Sequence, residues 1–108
     1  MRRFACPYLQ GEVELTEARE RHIAERHPDL LPEYRERIVA TLADPDQVRQ
    51  SIRFGSAKLF SRWHTDVRGG KYVVVVVVSE REPYERHWII TAYMARKLAQ
   101  GEIEWERH

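Results

Sequence analysis

"YVVVVVV", residues 72–78, decides the fold. Six consecutive valines place β-branched side chains on both faces of any strand they form. Only a strand covered on both sides accommodates that pattern. The run falls far short of the roughly 20 apolar residues a membrane-spanning helix needs. The sequence therefore predicts a central strand from Tyr72 to Ser79.

The flanks agree with that reading. "VRGGK" at 67–71 is a hairpin turn, with Gly69 and Gly70 supplying positive φ. Before it, Ala57, Leu59, Ser61 and Trp63 alternate with Lys58, Phe60 and Arg62, a strand pattern. After the valines, "REPYE" at 81–85 reads as a second turn. The next strand spans His87 to Met94, with Trp88, Ile90, Ala92 and Met94 expected on one face. Thr91 and Tyr93 are expected on the other, beside His87 and Ile89.

The first half of the chain is helical in period. "EVEL" at 12–15 is a short initial strand, and Thr16 is a suitable N-cap for a helix running to about Arg26. Pro28 disfavours helical geometry at His27 and ends it. A second helix is predicted from Pro32 to Ala43, with Tyr34, Ile38 and Leu42 as its apolar stripe and Val39 and Thr41 alongside. "DPD" at 44–46 closes it, and the tail from Ala95 onward reads as irregular or a short helical turn anchored by Ile103 and Trp105. The expected architecture is a single α+β domain over residues 1–108. Two N-terminal helices pack on an antiparallel sheet of about four strands and cover its Trp88/Ile90 face.

Composition narrows the setting. The lone Cys6 rules out an internal disulfide and a cysteine-based zinc cluster, and no segment reads as a signal peptide or membrane span. These features point to a cytoplasmic chain. Charge is unevenly spread: residues 49–71 carry six Lys/Arg (Arg49, Arg53, Lys58, Arg62, Arg68, Lys71) against Asp66 alone. A polyanion is one natural partner for that stretch, and a solvated strand edge protected from aggregation is the other reading.

"RHIAERHPD" at 21–29 holds two histidines five apart, about 140° around a helix. A zinc pair of the HExxH kind needs a spacing of four, and the residue four after His22 is Arg26, so a metal site is not expected. Acid–base chemistry is compatible with the spacing, because imidazole titrates near neutrality. The plainer reading makes both residues helix-end histidines, with His27 interacting favourably with the helix dipole. The residues alone leave both readings open.

The ordered set "VELTEARERHIAERHPDL", "TLADPDQV", "YVVVVVV", "WIITAYMARK" and "GEIEW" is similar to the phage-associated branch of the barnase–EndoU–colicin–RelE-like (BECR) ribonuclease superfamily. The resemblance spans about residues 12–105. It implies helices packed on a four-stranded antiparallel sheet and a metal-independent, cofactor-free endoribonuclease of toxin or phage type. RNA, tRNA included, is the implied substrate, and a cognate inhibitor or immunity protein is an implied partner. Carried over by position, the implied catalytic residues are His22, His27, Thr91 and Tyr93, completed by a basic strand residue, Arg62 or Lys58. Arg53, Lys58, Arg68 and Lys71 would bind RNA. The expected reaction is attack of a ribose 2′-OH on the adjacent phosphate, giving a 2′,3′-cyclic phosphate. The alternative expectation is a non-catalytic module that keeps the fold to bind RNA or protein.

Overall fold

A computed structural model describes residues 1–53, 55–98 and 101–107. The strands are β1 (Arg2–Cys6), β2 (Gly11–Leu15), β3 (Gln47–Ser51), β4 (Lys58–His64), β5 (Lys71–Glu80), β6 (Arg86–Ala95) and β7 (Gly101–Glu106). Helices α1 (Glu17–Arg26) and α2 (Arg35–Ala43) lie between β2 and β3, and a 3-10 turn, Pro7–Leu9, joins β1 to β2.

The expected four-stranded antiparallel sheet is corrected: the class is α+β, but the sheet has seven strands in the order β1-β2-β6-β5-β4-β3-β7 and is mixed. Among the described residues its one parallel contact is β2 with β6, a single residue pair, Glu14 with Trp88. The three strands that sequence periodicity did not reveal lie toward the edges. β1 and β3 are five residues each, β3 mostly polar and β1 opening on two arginines, and each owes its conformation to a neighbour. The tail expected to be irregular is instead β7, an edge strand paired with β3. In "GEIEWE" only Ile103 and Trp105 are apolar, too few to mark a strand without its partner.

β5 occupies the centre of the order, and Val73 through Val77 are all buried. Its partners are β4 and β6, both antiparallel. Val73, Val75 and Val77 join Phe60, Ile89, Ala92, Ile23, Ile38 and Leu42 in the main core beneath the helices. Val74 and Val76 face the other way, where Leu98 lines a cleft with Tyr72 and Gln47. Gly69 and Gly70 adopt positive φ in the turn that feeds β5.

The helix-covered face of β6 is also corrected. Register shifts between Val76 and Val77, so that Val76 pairs with Thr91, Val77 with Ile89, and Ile90 is an extra residue. Ile89, Ala92 and Met94 therefore face the helices, while Trp88 lies opposite with Val78. Thr91 and Tyr93 pair with Val76 and Val74, on the face away from the helices as expected.

α1 begins where Thr16 Oγ1 accepts the Arg19 backbone N–H at 3.2 Å, with Glu17 and Glu20 in the favourable first turn. Glu20 also receives hydrogen bonds from Arg2 and Arg35, tying the helix to β1 and to the start of α2. Burial opposes the charge of that carboxylate, but the Arg35 and Arg2 bonds outweigh it and hold its pKa below the usual value. α1 ends at His27, whose φ of −131° and ψ of 67° lie outside the helical region that Pro28 disfavours. α2 starts at Arg35 rather than Pro32, because residues 28–34 form turns that bury Leu30 and Leu31.

A polar pair sits inside this packing. The Thr41 hydroxyl donates to the Arg37 carbonyl at 2.6 Å and stands 3.2 Å from His64 Nε2. Since its hydrogen is used, the hydroxyl oxygen accepts and Nε2 carries the ring hydrogen. Burial, then the nearby charges of Arg37 and Arg62, push the His64 pKa down against the opposing pull of Asp66 and Asp46.

Three stability measurements check this account. Phe60→Ala empties a fully buried site and is expected to cost about 3–5 kcal/mol in denaturant unfolding. Ile103→Ala on exposed β7 is expected to cost no more than about 0.5 kcal/mol. For His64, the folded pKa lies below the unfolded one, so the unfolded chain takes up its proton first on acidification. The stability this histidine contributes is full above the ordinary value of 6.5 and is lost as pH falls through the lowered folded value. His64→Gln should flatten that part of the stability–pH curve; an unchanged curve would show that His64 is not its source.

Candidate site at the outer edge of β6

β2 ends at Leu15, one residue past the Glu14–Trp88 pair, and among the described residues no strand pairs with the outer edge of β6 beyond that point. α1 lies there instead. Arg19 Nη1 donates to the Ile90 carbonyl at 3.4 Å, and the His27 ring meets the Tyr93 ring with centroids 6.1 Å apart. From Arg19 to His27 the helix rises about 12 Å. From Ile90 to Tyr93 the strand advances about 10 Å. The near match means that α1 runs alongside β6 in the same direction.

That alignment puts four sequence-predicted residues on neighbouring elements. His27 packs on Tyr93, and Thr91 is on the same face of β6 as Tyr93, two residues earlier. His22 is one helical turn past Arg19 and thus about level with Thr91. All four are partly buried. Because His27 leaves the helical conformation, its ring reaches around the strand edge to a side chain on the far face. Burial raises the Tyr93 pKa, so its phenol stays protonated and can donate a hydrogen bond throughout the neutral range.

Arg62 and Lys58 are not part of this cluster, which corrects their expected place. Phe60 belongs to the core under the helices, and Lys58 and Arg62 share its side of β4, opposite to Thr91 and Tyr93. Arg62 donates to the carbonyls of Ala40 and Asp44 at the C-terminal end of α2, a favourable place for a cation. Lys58 bonds both carboxylate oxygens of Glu104 at 2.8 Å. The Tyr8 hydroxyl donates to the same carboxylate at 2.6 Å, and burial together with Glu104 pushes the Tyr8 pKa up to about 12. Both strand cations thus hold the fold together.

The other proposed RNA contacts divide between the two ends of the sheet. Arg53 lies in the loop between β3 and β4, remote from Tyr93. Arg68 lies in the β4–β5 turn and Lys71 opens β5 opposite His64, at the end of the sheet where β6 carries Tyr93 and Ala95.

Arg19 is the residue that sequence reasoning missed. On the helical wheel it falls between the histidines, about 60° from His22 and about 80° from His27. The spacing was visible, but the neighbour was not, because Arg19 meets Ile90, distant in sequence. Among the described residues no group of three or more His, Cys, Asp or Glu is arranged to hold a metal ion. Among the described residues, too, no helix is long and apolar enough to cross a membrane.

Compared with protein-family models, with curated proteins and with solved structures, the chain matches none, so the reading of this site rests on its own geometry.

Proposed function

We propose that the chain is an endoribonuclease that cleaves RNA in the cytoplasm by 2′-OH transesterification at the α1–β6 edge. The observation that carries this reading is the packing of the His27 ring on Tyr93, beside Thr91 and with Arg19 bonded to the Ile90 carbonyl. A base, a cation and two hydroxyl donors along one strand edge are the components that phosphodiester cleavage uses.

In the proposed reaction His27 Nε2 or Nδ1 accepts the proton of the ribose 2′-OH as its oxygen attacks phosphorus. The P–O5′ bond breaks, and His22 in its imidazolium form gives a proton to the departing oxygen. Five residues of helix separate the two histidines by about 7.5 Å along the axis, room for a phosphate between base and acid. Arg19 takes the role that the resemblance implies for Arg62 or Lys58, balancing charge on the phosphorane, while Thr91 and protonated Tyr93 donate to its oxygens. The products are a 2′,3′-cyclic phosphate and a 5′-hydroxyl. tRNA is among the substrates to try, and a cognate inhibitor would be expected to cover this edge.

The non-catalytic alternative has one observation in its favour: Lys58 and Arg62, the two strand cations, are committed to Glu104 and to the end of α2. A binding module would retain RNA without turning it over.

Cleavage of synthetic RNA and total tRNA, with and without EDTA, separates the two. The expected outcome is EDTA-resistant cleavage with a cyclic-phosphate end and a bell-shaped pH–rate profile around neutrality. His27→Ala and His22→Ala should each lower the rate about 10²-fold or more. Thr91→Val tests the same phosphate from the sheet side. Arg19→Ala should cost a further factor of about 10², as loss of one charge-stabilising donor does. Arg62→Ala should mainly lower stability. Full activity in both histidine variants would end the acid–base reading and leave the binding module.

A further inference from the structure

We infer that the Trp63 end of the sheet face turned away from the helices is a stacking site for a base of single-stranded RNA, flanking the phosphate at His27. This rests on the reading above, and the observations that support it concern a different part of the molecule.

Trp63 is on the face opposite Phe60 and Arg62, and 40 % of it is exposed. The indole is nevertheless held in place. It meets Tyr72, its cross-strand partner, edge to face with centroids 5.0 Å apart and planes at 73°. Its six-membered ring lies on Gly70, where an added Cβ would stand 2.5 Å from Cζ2. An indole fixed on one side and open on the other offers a preorganised π surface, and every nucleobase has a face to set against it.

Its position suits the candidate site. Ala95, Tyr72 and Trp63 form one row across β6, β5 and β4, and Tyr93 is two residues down β6 on the same face. Strand spacing and rise put Trp63 about 12 Å from Tyr93, within reach of a short single strand.

Charge selects the occupant. Arg96 and Lys97, both exposed, follow Ala95 directly at the end of that row; exposed Arg68 stands in the β4–β5 turn, and Lys71, paired with His64, opens β5 on the helix side of the same end. None of the four forms an ion pair among the described residues. The nearby acids are already engaged: Asp66 pairs with Arg37, and Asp46 accepts the Trp63 backbone N–H at 2.8 Å and pairs with Arg107. An aromatic platform with a cationic rim fits a polyanion whose bases are unstacked, which is a single strand and not a duplex.

The test is fluorescence anisotropy with a labelled, non-cleavable 2′-O-methyl oligoribonucleotide, as a single strand and as a duplex, on the full chain. The wild type should prefer the single strand. Trp63→Ala should weaken that binding about tenfold or more, and Trp63→Phe should retain most of it. Trp63→Leu keeps an apolar contact with Gly70 and Tyr72 but removes the π face, so it decides the matter should the alanine variant fail to fold. Arg68→Gln should lower the log–log salt slope by about 0.7 if it contacts one phosphate. Unchanged affinity in the leucine variant, a preference for duplex, or no binding by folded wild type would overturn the inference. Trp63-dependent binding with no cleavage of the 2′-hydroxyl substrate would uphold this site and reject the nuclease reading. Cleavage with Trp63-independent binding would do the reverse.

Discussion

Coverage of β5 on both faces is the constraint from which the remaining architecture follows. Val73, Val75 and Val77 demand one apolar layer, and Val74 and Val76 demand another. The first is met by α1, α2 and the turns between them. The second is met on the other face by neighbouring side chains and by Leu98 beside Tyr72. Once β5 is central, β4 and β6 must pair with it, and the shorter strands β1, β2, β3 and β7 fall outward. Short strands like these, with one to three apolar residues each, are stable only as extensions of an existing sheet.

The α1–β6 edge follows from the same arrangement. β2 ends one residue past its pairing with β6, and α1 follows on beside the same strand, with Ile23 in the core. Arg19 meets β6 near one end of the helix and His27 at the other. A strand edge is a row of unpaired backbone groups, and here Arg19 satisfies the Ile90 carbonyl. Residues that blunt the edge are therefore the same residues that line the proposed site.

Much of this was legible in the chain. The central strand, the Thr16 cap, the stop at Pro28 and the glycine turn each depend on neighbours within a few residues, and local chemistry identifies them. His27, Thr91 and Tyr93 could be named because their setting is set by local events: a helix end and a face of one strand. The failures were non-local. β1, β3 and β7 are specified by partner strands that no local pattern reveals. Lys58 and Arg62 were chosen for their charge, yet they share the pleat of Phe60, and alternation from that buried residue would have assigned them to the helix side. Arg19 was overlooked because its partner is 71 residues away.

The extra residue at Ile90 gives β6 two reading frames. Below it Ile89 faces the helices; above it Ala92 and Met94 do, an offset that strict alternation forbids. A change of identity at Thr91 or Tyr93 thus stays confined to the site, as such side chains lie outside the main core. A change of length is absorbed at one place. Without Ile90, Ile89 against Val77 and Thr91 against Val76 would be consecutive pairs, and every side chain of β6 would keep its face. Elsewhere in the strand a one-residue insertion or deletion would turn the chain beyond it over, so β6 has room for a change of length at position 90 and for changes of identity on its outer face.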